Sequence, residues 1–279
     1  MQSIYIIVLG TLVASSCALL GCFLMLRKMA MVGDAISHAV LPGIVVAYLF
    51  TGSKAQLPVL IGAAITGLLT TFLIEFLNKK IRLQEDAAIG IVFTWLFALG
   101  VILISVFAGK IDLDQDCVLY GEIAYVGLEG NGIPQEVWVM GAIFLIILAF
   151  VKLGYRQLFI TTFDPAYAAT VGISTALWHY LLMGLVSLTT VAAFDSVGSI
   201  LVVSFLVIPA ATAYLITHSL PKMMVIAILV GTVGSVLGYF LSSIIDSSIA
   251  ASMSTVCAIE FVLVFAYTRF HKSSGVQTQ

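Results

Sequence analysis

The chain has 279 residues, of which 61% are apolar and 9% charged, against about 25% charged in an ordinary soluble domain. With a mean hydropathy of +1.16 and uncharged runs of about 20 residues throughout, the composition excludes a soluble enzyme and predicts a polytopic helical membrane protein. The alternating segments of a membrane β-barrel are missing from the pattern, and a formal net charge of -2 leaves no basic stripe for a phosphate backbone, which excludes nucleic acid as a partner.

Apolar runs bounded by charges or turn residues fall at 4–26, 30–50, 57–77, 87–107, 133–151, 173–193, 196–216, 223–245 and 249–267. These predict an all-α fold of nine transmembrane helices in one membrane domain, residues 1–272, with a short polar tail at 273–279. Eight is the alternative count, because the fifth run is the shortest and residues 112–125 offer a segment that dips into the bilayer. The first run has no positive residue before it and exceeds the apolar core of a signal peptide, so it reads as a retained span. Cys17, Cys22, Cys117 and Cys257 form no metal-knuckle or paired pattern and read as core residues.

An outside N-terminus puts Arg27, Lys28, Lys79, Lys80, Arg82, Lys152, Arg156, Lys222, Arg269 and Lys272 on the cytoplasmic side and leaves only Lys54 and Lys110 outside. That distribution follows the positive-inside rule and predicts a cytoplasmic C-terminus. The same topology gathers Asp112, Asp114, Asp116, Glu122, Glu129, Glu136, Asp195 and Asp246 at the outer face. An acidic mouth concentrates cations through a field screened beyond about 8 Å; outer loops that merely avoid Lys and Arg would look the same.

The second run carries the most informative stretch, Met31-Val-Gly-Asp-Ala-Ile-Ser-His-Ala-Val-Leu-Pro-Gly43. Asp34 and His38 share one helix face, both side chains ligate divalent metals, and each sits about 9–15 Å into the bilayer by the helical rise. An ionisable group at that depth costs at least ~2.5 kcal/mol and marks a functional site by default; the structural alternative is a pair that glues two helices. Pro42 withholds a donor from the His38 carbonyl and predicts a break, the construction that places ion sites at the midplane of transporters. Pro209, in Ile-Pro-Ala-Ala-Thr-Ala213, predicts a second interrupted helix packed near the first, or else a tolerated kink.

Glu260 is a further deep acid, about 13 Å from the cytoplasmic end of the last span. It reads either as part of a metal path or as a structural hydrogen-bonding group. Asp195 and Asp246, at outer span ends, read as gate residues or solvated caps. His179 and His218 read as interfacial, and His271 lies in the tail.

Between the fifth and sixth runs, Phe163-Asp-Pro-Ala-Tyr-Ala-Ala-Thr-Val-Gly172 opens with an Asp-Pro helix start and closes on glycine, enclosing about two turns. A short capped helix there is a docking element or a plain connector. No G-x-x-x-x-G-K-[ST] phosphate loop is present, so transport energy comes from an ion gradient or from a separate ATPase. No H-E-x-x-H run supports an intramembrane metalloprotease.

The stretches at 31–43 (MVGDAISHAVLPG), 85–99 (EDAAIGIVFTWLFAL), 163–172 (FDPAYAATVG) and 194–213 (FDSVGSILVVSFLVIPAATA) resemble the membrane permease subunits of bacterial ABC importers for manganese, zinc or iron. The resemblance implies a non-catalytic homodimeric permease of the bacterial plasma membrane, two cytoplasmic ATPase subunits that supply ATP hydrolysis, and an extracytoplasmic metal-binding protein. It further implies that Asp34 and His38 contact the transported ion and that 163–172 is the coupling helix, with Phe163, Asp164, Pro165, Ala168 and Gly172 as its motif positions. One departure stands in the outer loop, where Glu122 replaces a common asparagine.

Carboxylate plus imidazole without a thiolate suits a hard or borderline ion and argues against copper(I). Manganese is expected first, then zinc or iron, with no permanently bound cofactor. The rival is a gradient-coupled secondary carrier using Asp34 and Glu260 as its relay, which a protonophore would stop at constant ATP.

Overall fold

The computed structural model describes residues 2–51, 56–107, 123 and 134–275. In chain order the helices are α1 (Gln2–Leu26), α2 (Ala30–Ala39), α3 (Leu41–Thr51), α4 (Gln56–Ile81), α5 (Glu85–Phe107), α6 (Gln135–Phe163), α7 (Pro165–Thr170), α8 (Thr175–Val197), α9 (Ser199–Ile216), α10 (Leu220–Ile245) and α11 (Ile249–Gly275). Among the described residues nine helical spans are long and apolar enough to cross a membrane, with α2 and α3 forming one of them, Ala30–Thr51. Most of the acidic loop between α5 and α6, including Asp112, Asp114, Asp116, Glu122 and Glu129, lies outside the described residues, as do Cys117, Lys54 and Lys110.

Two groups of helices make up the bundle. In the first, α1 is the axis, packed by α6, α9 and α10, while α11 closes against α9 and α10. Leu9, Val13, Leu20, Phe23 and Leu24 of α1 are fully buried, which explains why this helix is apolar on every face. The second group is α2 to α5, joined to the first through α8 and through contacts of α9 with α2. Large apolar side chains such as Phe72, Trp95, Ile102, Leu145 and Leu263 stay exposed, as the outer surface of a membrane protein requires.

Two boundaries differ from the sequence expectation. The fifth run continues as helix from Gln135 to Phe163, because nothing in Lys152 to Thr162 breaks a helix. Its 29 residues reach about 43 Å, beyond the roughly 30 Å apolar core, so Lys152 and Arg156 ride on a protruding end. The last helix likewise passes residue 272 and ends at Gly275, so the polar tail starts within a helix.

Candidate metal centre

The approach to the Asp34–His38 stretch is fixed by a tight turn. Helix α1 ends with Lys28 N–H donating to the Met25 carbonyl (3.0 Å) and Met29 N–H to the Leu24 carbonyl (2.9 Å), the paired bonds of a Schellman cap. Lys28 adopts the left-handed conformation (φ 63°), at a cost of about 1 kcal/mol for a residue with a Cβ. Little more than one turn further on, Gly33 lies against Leu206 of α9; a Cβ there would come within 2.3 Å of Leu206 Cδ2. The glycine therefore lets α2 seat against α9 and turns Asp34 and His38 away from that contact.

Asp34 Oδ1 and His38 Nε2 are 3.7 Å apart, with side chains 41% and 31% exposed. That separation is too long for a hydrogen bond, so the two groups face the same space without satisfying each other. The His38 ring is held by Phe93 at 5.4 Å and, edge-on, by Phe97 at 5.8 Å, both from α5. The pair is thus oriented, accessible and incomplete. Among the described residues no group of three or more His, Cys, Asp or Glu side chains gathers, whereas a divalent ion takes four or more ligands.

Pro42 interrupts the helix as expected, though narrowly. Val40 alone separates α2 from α3, with αR backbone angles and its N–H on the Ile36 carbonyl (3.1 Å), so no unwound loop lines a cavity. Just beyond, Gly43 meets α4, where a Cβ would stand 1.9 Å from Thr66 Oγ1 and 2.5 Å from the Gly62 carbonyl oxygen. This contact holds the kinked span against α4. The expectation of an interrupted helix at Pro209 is corrected: α9 runs unbroken through it. Ala210 and Ala213 pack in one cluster with Ala18 and Cys22 of α1, and that close seat holds the helix continuous despite the lost hydrogen bond. Its predicted proximity to α2 stands, through Leu206 and Gly33.

Glu260 does not join the pair. It sits where α11 meets α10, with Oε2 over Gly234, and neither carboxyl oxygen has a hydrogen-bond partner among the described residues. The expected structural hydrogen bond is therefore absent there. Asp246 is a cap in fact: it ends α10 in the left-handed conformation, its N–H donating to the Ser242 carbonyl, and it lines an open cavity of about 370 Å³ with Ser3, Ser243 and Ser248. Asp195 lies in the last turn of α8.

The segment 163–172 forms the predicted short helix. Asp164 caps α7 by accepting from the Tyr167 N–H (2.9 Å), Pro165 occupies its first turn, and Gly172 takes φ 80° beyond its end. Phe163 belongs to α6. Ala168 is fully buried within this chain, while Phe163, Tyr167 and Val171 are each more than half exposed.

One polar cluster escaped the sequence reading. Arg27 Nε donates to Thr162 Oγ1 and Nη2 to Thr161 Oγ1, both at 3.1 Å, and Nη1 lies 3.4 Å from His179 Nδ1. Burial pushes the guanidinium down to about 10, which still leaves it charged at neutral pH. Alongside, Glu75 pairs with Lys79 and accepts from the Tyr180 hydroxyl. The only sequence signal was that Arg27, Lys79 and His179 each end or begin a span. Their meeting shows that α1, α4, α6 and α8 present these termini on one side, the side where the basic residues collect.

The described residues thus form a helical bundle with an accessible Asp34–His38 pair in one span and a capped short helix, α7, between two others. Residues 2–268 match the ABC 3 transport family, and the chain belongs to it: a multi-pass permease subunit of the bacterial plasma membrane, in a family whose ATPase is a separate, catalytic subunit. The chain is 43% identical over 281 residues to the manganese transport system membrane protein MntD of Bacillus subtilis, covering 99% of this chain and 94% of that protein. It is 39% identical to the zinc transport system membrane protein TroD of Treponema pallidum, over 95% of this chain and 74% of that one. Among solved structures it resembles PsaBC from Streptococcus pneumoniae in complex with Fab, with a TM-score of 0.79 and 35% identity over 93% of this chain and 89% of that one. Membership in an ABC family sets aside the gradient-coupled carrier.

Proposed function

We propose that this chain conducts manganese(II) into the cell, with zinc and iron as lesser cargoes, through a site built from Asp34 and His38. The observation that carries the reading is the geometry of the pair: two metal-ligating side chains at membrane depth, held by Phe93 and Phe97, accessible, and unsatisfied by each other. An ion in transit needs such a site, because ligands saturated by the protein offer nothing and a full cage would not release its cargo. The names of the relatives, manganese and zinc transport system membrane proteins, support the choice of ion.

The incomplete ligand set also supports a homodimer in which each chain contributes one Asp–His pair to a shared ion. Two cytoplasmic ATPase subunits seat on the exposed residues around α7, Phe163, Tyr167 and Val171. A metal-binding protein delivers the ion to the opposite face, beside the N-terminus. Glu260 and Asp246 take no part in ligating the ion.

The test is uptake of manganese(II) by the complete transporter in proteoliposomes. Asp34→Ala and His38→Ala each lower uptake by at least about tenfold while the complex still assembles, an effect of the size expected for a lost metal contact. Uptake at more than half the parental rate in either variant would overturn the assignment.

A further inference from the structure

We propose that Arg27 is the positioning residue through which movement of the coupling segment reaches the metal-ligating helix. The inference rests on the reading of Asp34–His38 as the ion site and of α7 as the ATPase contact, and concerns what joins them. Thr161 and Thr162 close the last turn of α6, immediately before the Asp164 cap of α7. Arg27 holds both hydroxyls with two different guanidinium nitrogens, a fork that a lysine cannot reproduce.

Arg27 is also the first residue past α1 and opens the Schellman turn that launches α2. That turn is rigid: both cap bonds are made and Lys28 is locked at positive φ. A displacement of the α6–α7 corner therefore pulls on the base of α2 through one side chain. A half-buried guanidinium released from both threonines would lose two charge-assisted hydrogen bonds, so the link resists being broken and transmits force.

Space beside the base of α2 favours such a motion. A cavity of about 170 Å³ lies between Met29 and Val32 at the base of α2, Ile74 and Asn78 of α4, and His179 of α8. The base of α2 can tilt into this void at little packing cost, while the Gly33–Leu206 contact higher up acts as the fulcrum. Such a tilt would reorient Asp34 and His38 relative to Phe93 and Phe97 and loosen the ion.

The experiment uses the complete transporter, with its ATPase and metal-binding subunits, in proteoliposomes, and reads manganese(II) transported per ATP hydrolysed. A purely structural role lowers transport and hydrolysis together and leaves that ratio unchanged. Arg27→Met is expected to keep hydrolysis within about twofold and to lower the ratio by about tenfold, inside the usual range of coupling effects. Arg27→Lys should recover less than half of the loss, since it restores charge without the fork.

A parental ratio in Arg27→Met overturns the inference. If that variant fails to assemble, Thr161→Val with Thr162→Val decides, because it removes both acceptors and keeps the arginine beside His179: a lowered ratio supports the link and a parental ratio overturns it. Asp34→Ala in the same preparation separates the two levels. Parental transport there overturns the ion-site reading, whereas it leaves the Arg27 ratio as its own measurement.

Discussion

Two polar clusters on neighbouring helices have opposite character. At the basic end, Arg27 is paired with Thr161 and Thr162, and Glu75 with Lys79 and Tyr180, while His179 lies against Arg27 through Nδ1 and leaves only its Nε2 without a partner among the described residues, tying the termini of four helices. Deeper in the span, Asp34 Oδ1 and His38 Nε2 stand 3.7 Å apart and accessible. Satisfied polar groups in a membrane protein fix geometry; unsatisfied but accessible ones are retained at a cost only where something else completes them. The contrast separates a strut from a site.

Breaking the site side of this contrast has the largest expected effect. Loss of manganese(II) uptake in Asp34→Ala and His38→Ala should come without loss of complex yield, because neither side chain is a packing residue. The next effect concerns α7. Ala168→Glu places a charge where the chain itself is closed and should lower the yield of folded permease, by several kcal/mol of burial cost. Tyr167→Glu, on an exposed position, should leave that yield intact and reduce co-purification of the ATPase. If Tyr167→Glu retains its ATPase at parental level, the exposed face of α7 is not the docking surface.

The strut side gives smaller changes. Tyr180→Phe removes one hydroxyl donor from a charged acceptor and should lower the thermal stability of the purified complex by about 1–2 kcal/mol, read as a decrease in melting temperature. Uptake by the molecules that remain folded should match the parent.

The spans and the α7 cap were legible in sequence because each rests on local chemistry: runs of apolar residues, and an Asp-Pro start with a closing glycine. Asp34 and His38 were legible for the same reason, since one helical turn places them on a shared face. The Arg27–Thr162 bond joins residues 135 positions apart, and no periodicity connects an arginine at one helix end with two threonines at another. Pro209 misled because proline's local rule was outweighed by packing: the small residues beside it seat α9 on α1 and hold it continuous. The burial of Ala168 was not legible, since smallness permits close approach to any surface, and the surface it meets is this chain's own.

Glu260 tests where the contrast between strut and site ends, because it belongs to neither cluster. Both its oxygens lie buried without a hydrogen-bond partner among the described residues, on the α10–α11 contact over Gly234, while α2 packs against α4, α5, α8 and α9. An acid that ligated the ion would need to share space with Asp34 and His38, and none of the described acids does so. Glu260→Gln keeps the shape and removes the acid. Uptake is therefore expected to stay within about twofold of the parent, below the 5-fold to 150-fold span typical of coupled sites. Glu260→Leu should behave alike if the position only fills space between α10 and α11. A tenfold or greater loss in Glu260→Gln, with the complex still assembled, would place this carboxyl on the route of the ion and extend the site across the bundle to α11.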